Sequence, residues 1–168
     1  MAIRQRPYPQ GRTNYQGCFT FKDLKSFKIY HLDIGLLRVM SELSPQTITE
    51  STRIFEESKG ALTEQFALQE MSAFSRMRSI YYWTSDATAE VDFVFSDGQK
   101  VIPVEVKSSG NIKAQSLKLF RSKYDTPLGV RTALTNISFD YSLLNIPLYV
   151  LWNFQNYSAQ LELFYSNH

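Results

Sequence analysis

The sequence predicts an α/β domain, a mixed sheet flanked by helices. Three observations carry that prediction. Three stretches place apolar residues at helical spacing, the first of them ahead of the sheet-forming body. Several short runs alternate apolar and polar residues, or are dense in β-branched and aromatic side chains. The two kinds follow one another as helix, three strands, helix, strand and one more strand, the order from which a sheet with helices on its faces is built.

The 168 residues suit one domain, and 43% hydrophobic with 14% aromatic content can fill a core. Disordered, collagen-like and coiled-coil chains are excluded on composition. No run approaches the roughly 18 apolar residues of a membrane span. The first residues are polar, without a signal-peptide core, so a cytoplasmic protein with no membrane partner is expected. The single cysteine, Cys18, excludes an internal disulfide.

Residues 1–27 mix Pro, Gly, Gln and Arg without period and read as an irregular basic arm. Six basic residues against Asp23 give residues 1–28 a charge of +5, although the whole chain carries only +2. Such an arm suits either phosphate contact or plain solvation. The domain is expected over 28–156, with its core over 52–154, and 157–168 form a polar tail. Residues 28–43 read as a helix capped by Asp33 and stopped at Ser44-Pro45. Residues 52–74 read as a second helix, with a break near Gly60 and a buried stripe of Phe66, Ala67, Met71 and Phe74.

Strands are expected over 79–84, 89–95 and 100–107. Asp97-Gly98 is a hairpin-turn signal between the last two. A helix over 111–124 presents Leu117, Phe120 and Tyr124 on one side. Strands over 129–135 and 147–154 complete the list.

With Asp97-Gly98 at the centre of the turn, Asp92 faces Pro103 and Glu90 faces Glu105. Alternation then gathers Glu90, Asp92, Pro103, Glu105 and Lys107 on one face. Val91, Phe93, Phe95, Ile102, Val104 and Val106 form the other, a core face. Diagonal neighbours lie roughly 7–8 Å apart. Two carboxylates at that spacing repel by about 2 kcal/mol at an effective dielectric of about 20. Either solvent or a cation between the acids relieves this, and hard oxygen ligands with room for water suit Mg²⁺ or Mn²⁺. A solvent-facing strand pair with a Glu–Lys bridge is the plain alternative. Glu64 shares a helix face with Leu68 and Met71, so it either points into a site or simply favours its helix's start. Lys113, Lys118, Arg121, Lys123 and Arg131 read equally as a phosphate-facing rim or as a solvated surface.

A helical glutamate (Glu64), a hairpin aspartate (Asp92) and Glu105-Val106-Lys107 resemble the PD-(D/E)XK nuclease superfamily. The order α-β-β-β-α-β resembles that superfamily's restriction-endonuclease-like core. The phrases KIYHLDIGLL, KGALTEQFALQEM, YYWTSDATAEVDFVF, VIPVEVKSS and IPLYVLW, spread over residues 20–152, resemble the DUF4143 domain, usually found at the C-terminus of prokaryotic AAA-type ATPases.

The resemblance implies a Mg²⁺ (or Mn²⁺)-dependent phosphodiester hydrolase acting on DNA. Glu64, Asp92, Glu105 and Lys107 would be its catalytic residues, and Asp92, Glu105 and the Val106 carbonyl its metal ligands. Lys107 would position the attacking water and stabilise phosphate charge. Glu90 and Gln115 would be accessory groups, and Lys113, Lys118 and Arg121 would contact phosphates. The same resemblance implies an alternative, a catalytically silent module that binds nucleic acid or a protein and targets an ATPase. The sequence departs from the pattern in two places. Val91 replaces the usual proline before Asp92, and no G-x-x-x-x-G-K-[ST] loop is present, so no ATP hydrolysis is expected of this chain.

Overall fold

The computed structural model describes residues 2–5, 27–44, 46, 53–74, 79–85, 88–96, 101–108, 114–140, 142–154 and 156–157. Its elements are β1 (Ala2–Gln5), β2 (Phe27–Ile29), α1 (Ile34–Met40), α2 (Arg53–Phe74), β3 (Ser79–Thr84), β4 (Glu90–Ser96), β5 (Val101–Val106), α3 (Gln115–Tyr124), β6 (Gly129–Ala133), β7 (Ser138–Asp140), β8 (Leu143–Pro147) and a 3₁₀ helix (Leu148–Asn153). The strands form one mixed sheet in the order β2-β1-β3-β4-β5-β6-β8-β7. β3, β4 and β5 are antiparallel neighbours, and β6 and β8 continue parallel to β5. The β5–β6 connection crosses over through α3, as a parallel pair requires. The α/β prediction, a mixed sheet flanked by helices, therefore stands.

All six residues of β5 and all five of β6 are buried, which marks them as strands covered on both faces. On one side, Ala67, Leu68 and Met71 of α2 pack with Phe93, Phe95, Ile102, Val104, Val130 and Ile146, and the 3₁₀ helix adds Leu151. On the other, Leu117 and Phe120 of α3 pack with Tyr81, Trp83, Val91, Val94 and Val101. The Trp83 and Phe120 rings meet edge to face, 5.3 Å apart. Gly129 lies where α3 crosses β6; a Cβ there would stand 2.7 Å from Arg121 Cδ and 3.2 Å from Leu117 Cγ.

α2 runs unbroken through Gly60. None of the described residues crowds that position, so its glycine costs the helix only about 1 kcal/mol. The 28–43 segment divides: Phe27–Ile29 form a strand and only Ile34–Met40 are helical. The expected cap holds, with Asp33 Oδ1 accepting from Leu36 N–H at 2.8 Å. Buried Gln65 accepts from His31 N–H at 2.9 Å and donates to its carbonyl at 3.1 Å, while Gln69 accepts from Ile34 N–H. Two amides one turn apart on α2 thus fix the segment between β2 and α1.

Three further expectations change. A strand, β1, forms within the segment expected to be irregular. The last strand is Leu143–Pro147, and the β-prone run after it is a 3₁₀ helix. Pro147 ends the parallel ladder, since it supplies no N–H and its φ of −56° leads into the helix. The third concerns the hairpin register. Ser96 pairs with Val101 and Val94 with Pro103, leaving four residues between the strands instead of two. A shift of two residues keeps every side chain on its face, so hydrophobic alternation does not distinguish the two registers. Asp97-Gly98 and Lys113 lie outside the described residues, as do the rest of the basic arm and the end of the tail.

Candidate active site at a fork in the sheet

β4 and β5 pair from Ser96–Val101 to Phe93–Val104. Past that point β4 follows β3 as far as Glu90 against Thr84, whereas β5 follows β6 through Glu105 against Arg131 and Val106 against Thr132. Asp92 and Glu105 are the first residues beyond the last shared pair. The Asp92 carboxylate spans the opening, with Oδ2 accepting from Val106 N–H at 2.7 Å.

A β-bulge shapes the β4 side of this fork. Tyr81 pairs with Val94 and Trp83 with Val91, so Tyr82 alone faces both Asp92 and Phe93. The bulge carries Phe93 into the core beneath α2 and leaves Val91 in the cluster beneath α3. The expected apolar face, which held both residues, is therefore divided between the two sides. An extra residue inverts the alternation beyond it, and no periodicity announces that in advance.

On the α2 side, Glu64 Oε2 accepts from Tyr30 O–H at 3.1 Å and lies 3.8 Å from Lys28 Nζ. Lys28 also pairs with Glu90 and stands 5.3 Å from the Tyr82 ring centre. Burial by itself lowers the Lys28 pKa; Glu90, Glu64 and Asp92 outweigh it and hold the ammonium above its usual range. Burial, reinforced by Glu64, raises the Tyr30 hydroxyl. Asp92 is pushed up to about 7, first by burial and then by Glu64. Val106 N–H and Lys28 oppose that rise, and Glu105 adds to it.

On the α3 side, Glu105 is 3% exposed. Its Oε1 pairs with Lys107 Nζ at 2.7 Å, while its Oε2 is buried and meets no donor among the described residues. Arg131, its register partner on β6, is buried and donates from Nε to Asn145 Oδ1 at 2.7 Å; Asn145 in turn donates to Ser138 Oγ. Burial lowers the Arg131 pKa, and the Glu105 charge opposes this.

The structure thus brings Asp92 into the setting of Glu64, Glu90 and Lys28, and Glu105 into that of Lys107 and Arg131, with the fork between. Gln115 is exposed at the start of α3, next to Ser116, whose Oγ accepts from Glu90 N–H at 3.4 Å. Lys118 is exposed. Arg121 and Arg131 do not form a phosphate-facing rim. Arg121 donates to the Thr126 and Pro127 carbonyls, closing the C-terminal turn of α3, and Arg131 is buried in the β6–β8 polar ladder. Lys123 lies 6.0 Å from the Trp83 ring centre. Lys28, Tyr30 and Asn145 were not singled out in the sequence. The one signal for the first two is that they flank Ile29 at strand spacing, inside a run whose apolar density reads as helix.

Among the described residues, no three His, Cys, Asp or Glu side chains are grouped to hold a metal ion. The one-face gathering expected for Glu90, Asp92, Pro103, Glu105 and Lys107 is divided as well, with Glu90 and Asp92 toward α2 and Glu105 and Lys107 toward α3, because the bulge inverts the alternation of β4. Mg²⁺ is satisfied by one or two carboxylates with water completing its shell. The buried Glu105 Oε2 fits such a cation, because Oε1 pairs with Lys107 while Oε2 accepts no hydrogen bond among the described residues.

A family model described as a domain of unknown function, DUF4143, matches residues 59–151, more than half of the chain. The chain belongs to the DUF4143 family. No curated protein and no solved structure matches it. The DUF4143 span contains Glu64, the Asp92 bulge, Glu105, Lys107 and the Arg131–Asn145 ladder, and it excludes Lys28 and Tyr30. No helix among the described residues is long and apolar enough to cross a membrane.

Proposed function

We propose that the fork is the centre of a Mg²⁺- or Mn²⁺-dependent phosphodiester hydrolase of the PD-(D/E)XK nuclease type, acting on DNA. The observation that carries this reading is the state of Glu105: one oxygen held by Lys107, the other buried without a donor among the described residues, beside a strand fork that Asp92 spans. Asp92 and Glu105 would hold the dication, with the Val106 carbonyl at the same strand end as a further oxygen. Bound there, the metal would lower the pKa of a water and neutralise phosphoryl oxygens. Lys107 is half-buried, and its ammonium is steered by Glu105. It orients the attacking water and stabilises charge as it develops on the phosphate. Glu64 orders the α2 side of the fork through Tyr30 and Lys28. Arg131, the register partner of Glu105 on β6, adds positive charge beside it.

A second reading draws on Lys28. Its ammonium stands among Glu64, Glu90 and Asp92, supplying from within the chain positive charge that a metal would otherwise bring. That arrangement favours a silent module that binds DNA, an ATPase domain or another protein without cleaving. Supercoiled plasmid incubated with Mg²⁺ or Mn²⁺ separates the two. Cleavage that disappears in Asp92→Ala and Lys107→Ala supports the hydrolase. DNA binding without cleavage, unchanged in both variants, supports the silent module.

A further inference from the structure

β2 is an edge strand with its polarity reversed. It joins the sheet through its pairs with β1, Ala2–Ile29, Ile3–Lys28 and Arg4–Phe27, and no strand among the described residues lies beyond it. Its outward residues are apolar: Phe27 and Ile29 are 54% and 74% exposed, so burial of their side chains does not hold the strand. The residue it turns inward is the charged one. Lys28 reaches the α2 side of the fork, where its ammonium pairs with Glu90 and lies 3.8 Å from Glu64 Oε2. Its charge also acts on Asp92. Two residues on, Tyr30 O–H donates to the same Glu64 oxygen at 3.1 Å.

Three features make this ammonium a replaceable occupant rather than a fixed one. The Lys28 side chain is 27% exposed, so water is at hand to receive it. Lysine is a strongly hydrated point charge on a flexible stem, without the planar fork by which arginine locks onto a carboxylate. And a single ammonium faces Glu64, Glu90 and Asp92 together, which leaves that side of the fork short of positive charge and attractive to a second cation.

We propose that Lys28 is an exchangeable counter-ion that opposes metal loading at the fork: its ammonium neutralises the α2-side carboxylates until a dication drawn to Asp92 and Glu105 displaces it. The inference rests on the dication reading of the fork proposed above. The two cations repel and share Asp92 as a counter-charge, so each weakens the hold of the other. Reciprocity then ties the metal to the strand: whatever Lys28 costs the metal in affinity, the metal costs β2 in docking. Once Lys28 lets go, β2 and the residues after it keep the β1 pairs, the Tyr30–Glu64 hydrogen bond and the Gln65 contacts with His31. β1 and β2 therefore act as an intramolecular brake on the site. Both strands precede residues 59–151, so the brake is added to the family's domain rather than built from it.

Mn²⁺ binding to the full chain, read by calorimetry beside Lys28→Met and Lys28→Arg, tests it. Methionine keeps an unbranched stem beside the Tyr82 ring and removes the charge, whereas arginine keeps the charge. Lys28→Met is expected to bind Mn²⁺ about tenfold more tightly than the wild type, and Lys28→Arg to stay close to the wild type. A cooperative melt in EDTA verifies the fold of each variant. A second readout needs no substitution: saturating Mn²⁺ should speed amide hydrogen exchange across residues 27–31 of the wild type. A merely structural Lys28 would loosen β2 when replaced without raising the affinity. Equal or weaker Mn²⁺ binding in Lys28→Met, or exchange over 27–31 that Mn²⁺ leaves unchanged or slows, overturns the inference. If wild-type binding is nonetheless present and Glu105→Gln abolishes it, the dication reading of the fork stands without the brake. No binding by any of these proteins overturns both, and binding by Lys28→Met alone supports both.

Discussion

Replacing Asp92 by asparagine removes a charge from the fork while keeping an oxygen for Val106 N–H to reach. Burial and Glu64 raise the Asp92 pKa from 3.8 to about 7 in the folded protein. A carboxyl whose folded pKa exceeds its unfolded value holds its proton more tightly when folded. Its stability contribution is therefore intact below about pH 4, declines as pH rises through the interval up to about 7, and is fully lost above it. At 1.36 kcal/mol per unit the loss has a ceiling of about 4 kcal/mol. Solvent reaches a half-buried carboxyl at a strand fork, and about 2 kcal/mol of that survives screening. The amide of the variant has no such titration. Urea unfolding in EDTA should find Asp92→Asn equal to the wild type near pH 4 and about 2 kcal/mol more stable near pH 8. Saturating Mn²⁺ at pH 8 should stabilise the wild type by mass action and close the gap, leaving the variant unmoved. A gap independent of pH, or an asparagine variant less stable at pH 8, would refute the placement of Asp92 in a half-buried, acid-flanked setting.

Four further substitutions probe the scaffold of the site. Gln65→Leu strands the His31 N–H and carbonyl and should cost about 2 kcal/mol, with faster amide exchange in the segment joining β2 to α1. Arg131→Met should cost about 3 kcal/mol in chemical unfolding, because Glu105 loses its neighbouring charge and Asn145 its donor. Phe120→Ala should cost about 3–5 kcal/mol by opening a cavity under Trp83. Gly129→Ala should lower stability by about 1–3 kcal/mol through its clash with Arg121 and Leu117, and Arg121→Ala in the same chain should recover part of that.

The alternating strands and the amphipathic helices were legible because each reports its period directly. β3, β4, β5, α2 and α3 fall where apolar spacing places them. What escaped depended on contacts far apart in sequence. Phe27–Ile29 is a strand because β1 pairs with it, and Ile29 at an edge looks no different from a helical isoleucine. The bulge that carries Phe93 to one side of the sheet and Val91 to the other leaves no trace in a list of apolar residues. A run with a polar centre, Leu143–Pro147 around Asn145, is a buried strand because Arg131 satisfies that asparagine across the ladder. At the site, residue types and spacing pointed to Asp92, Glu105 and Lys107. The partners that set their state, Lys28, Tyr30 and Arg131, come from other strands or strand ends, and only the folded chain brings them near.

The most direct test of the central claim is calorimetric titration of the full chain with Mn²⁺ at pH 7.5, beside Asp92→Asn and Glu105→Gln. If the two fork carboxylates share a hard dication, the wild type binds one equivalent saturably and each variant loses most of that affinity. Absence of binding in the wild type, or the same affinity in all three proteins, would contradict it.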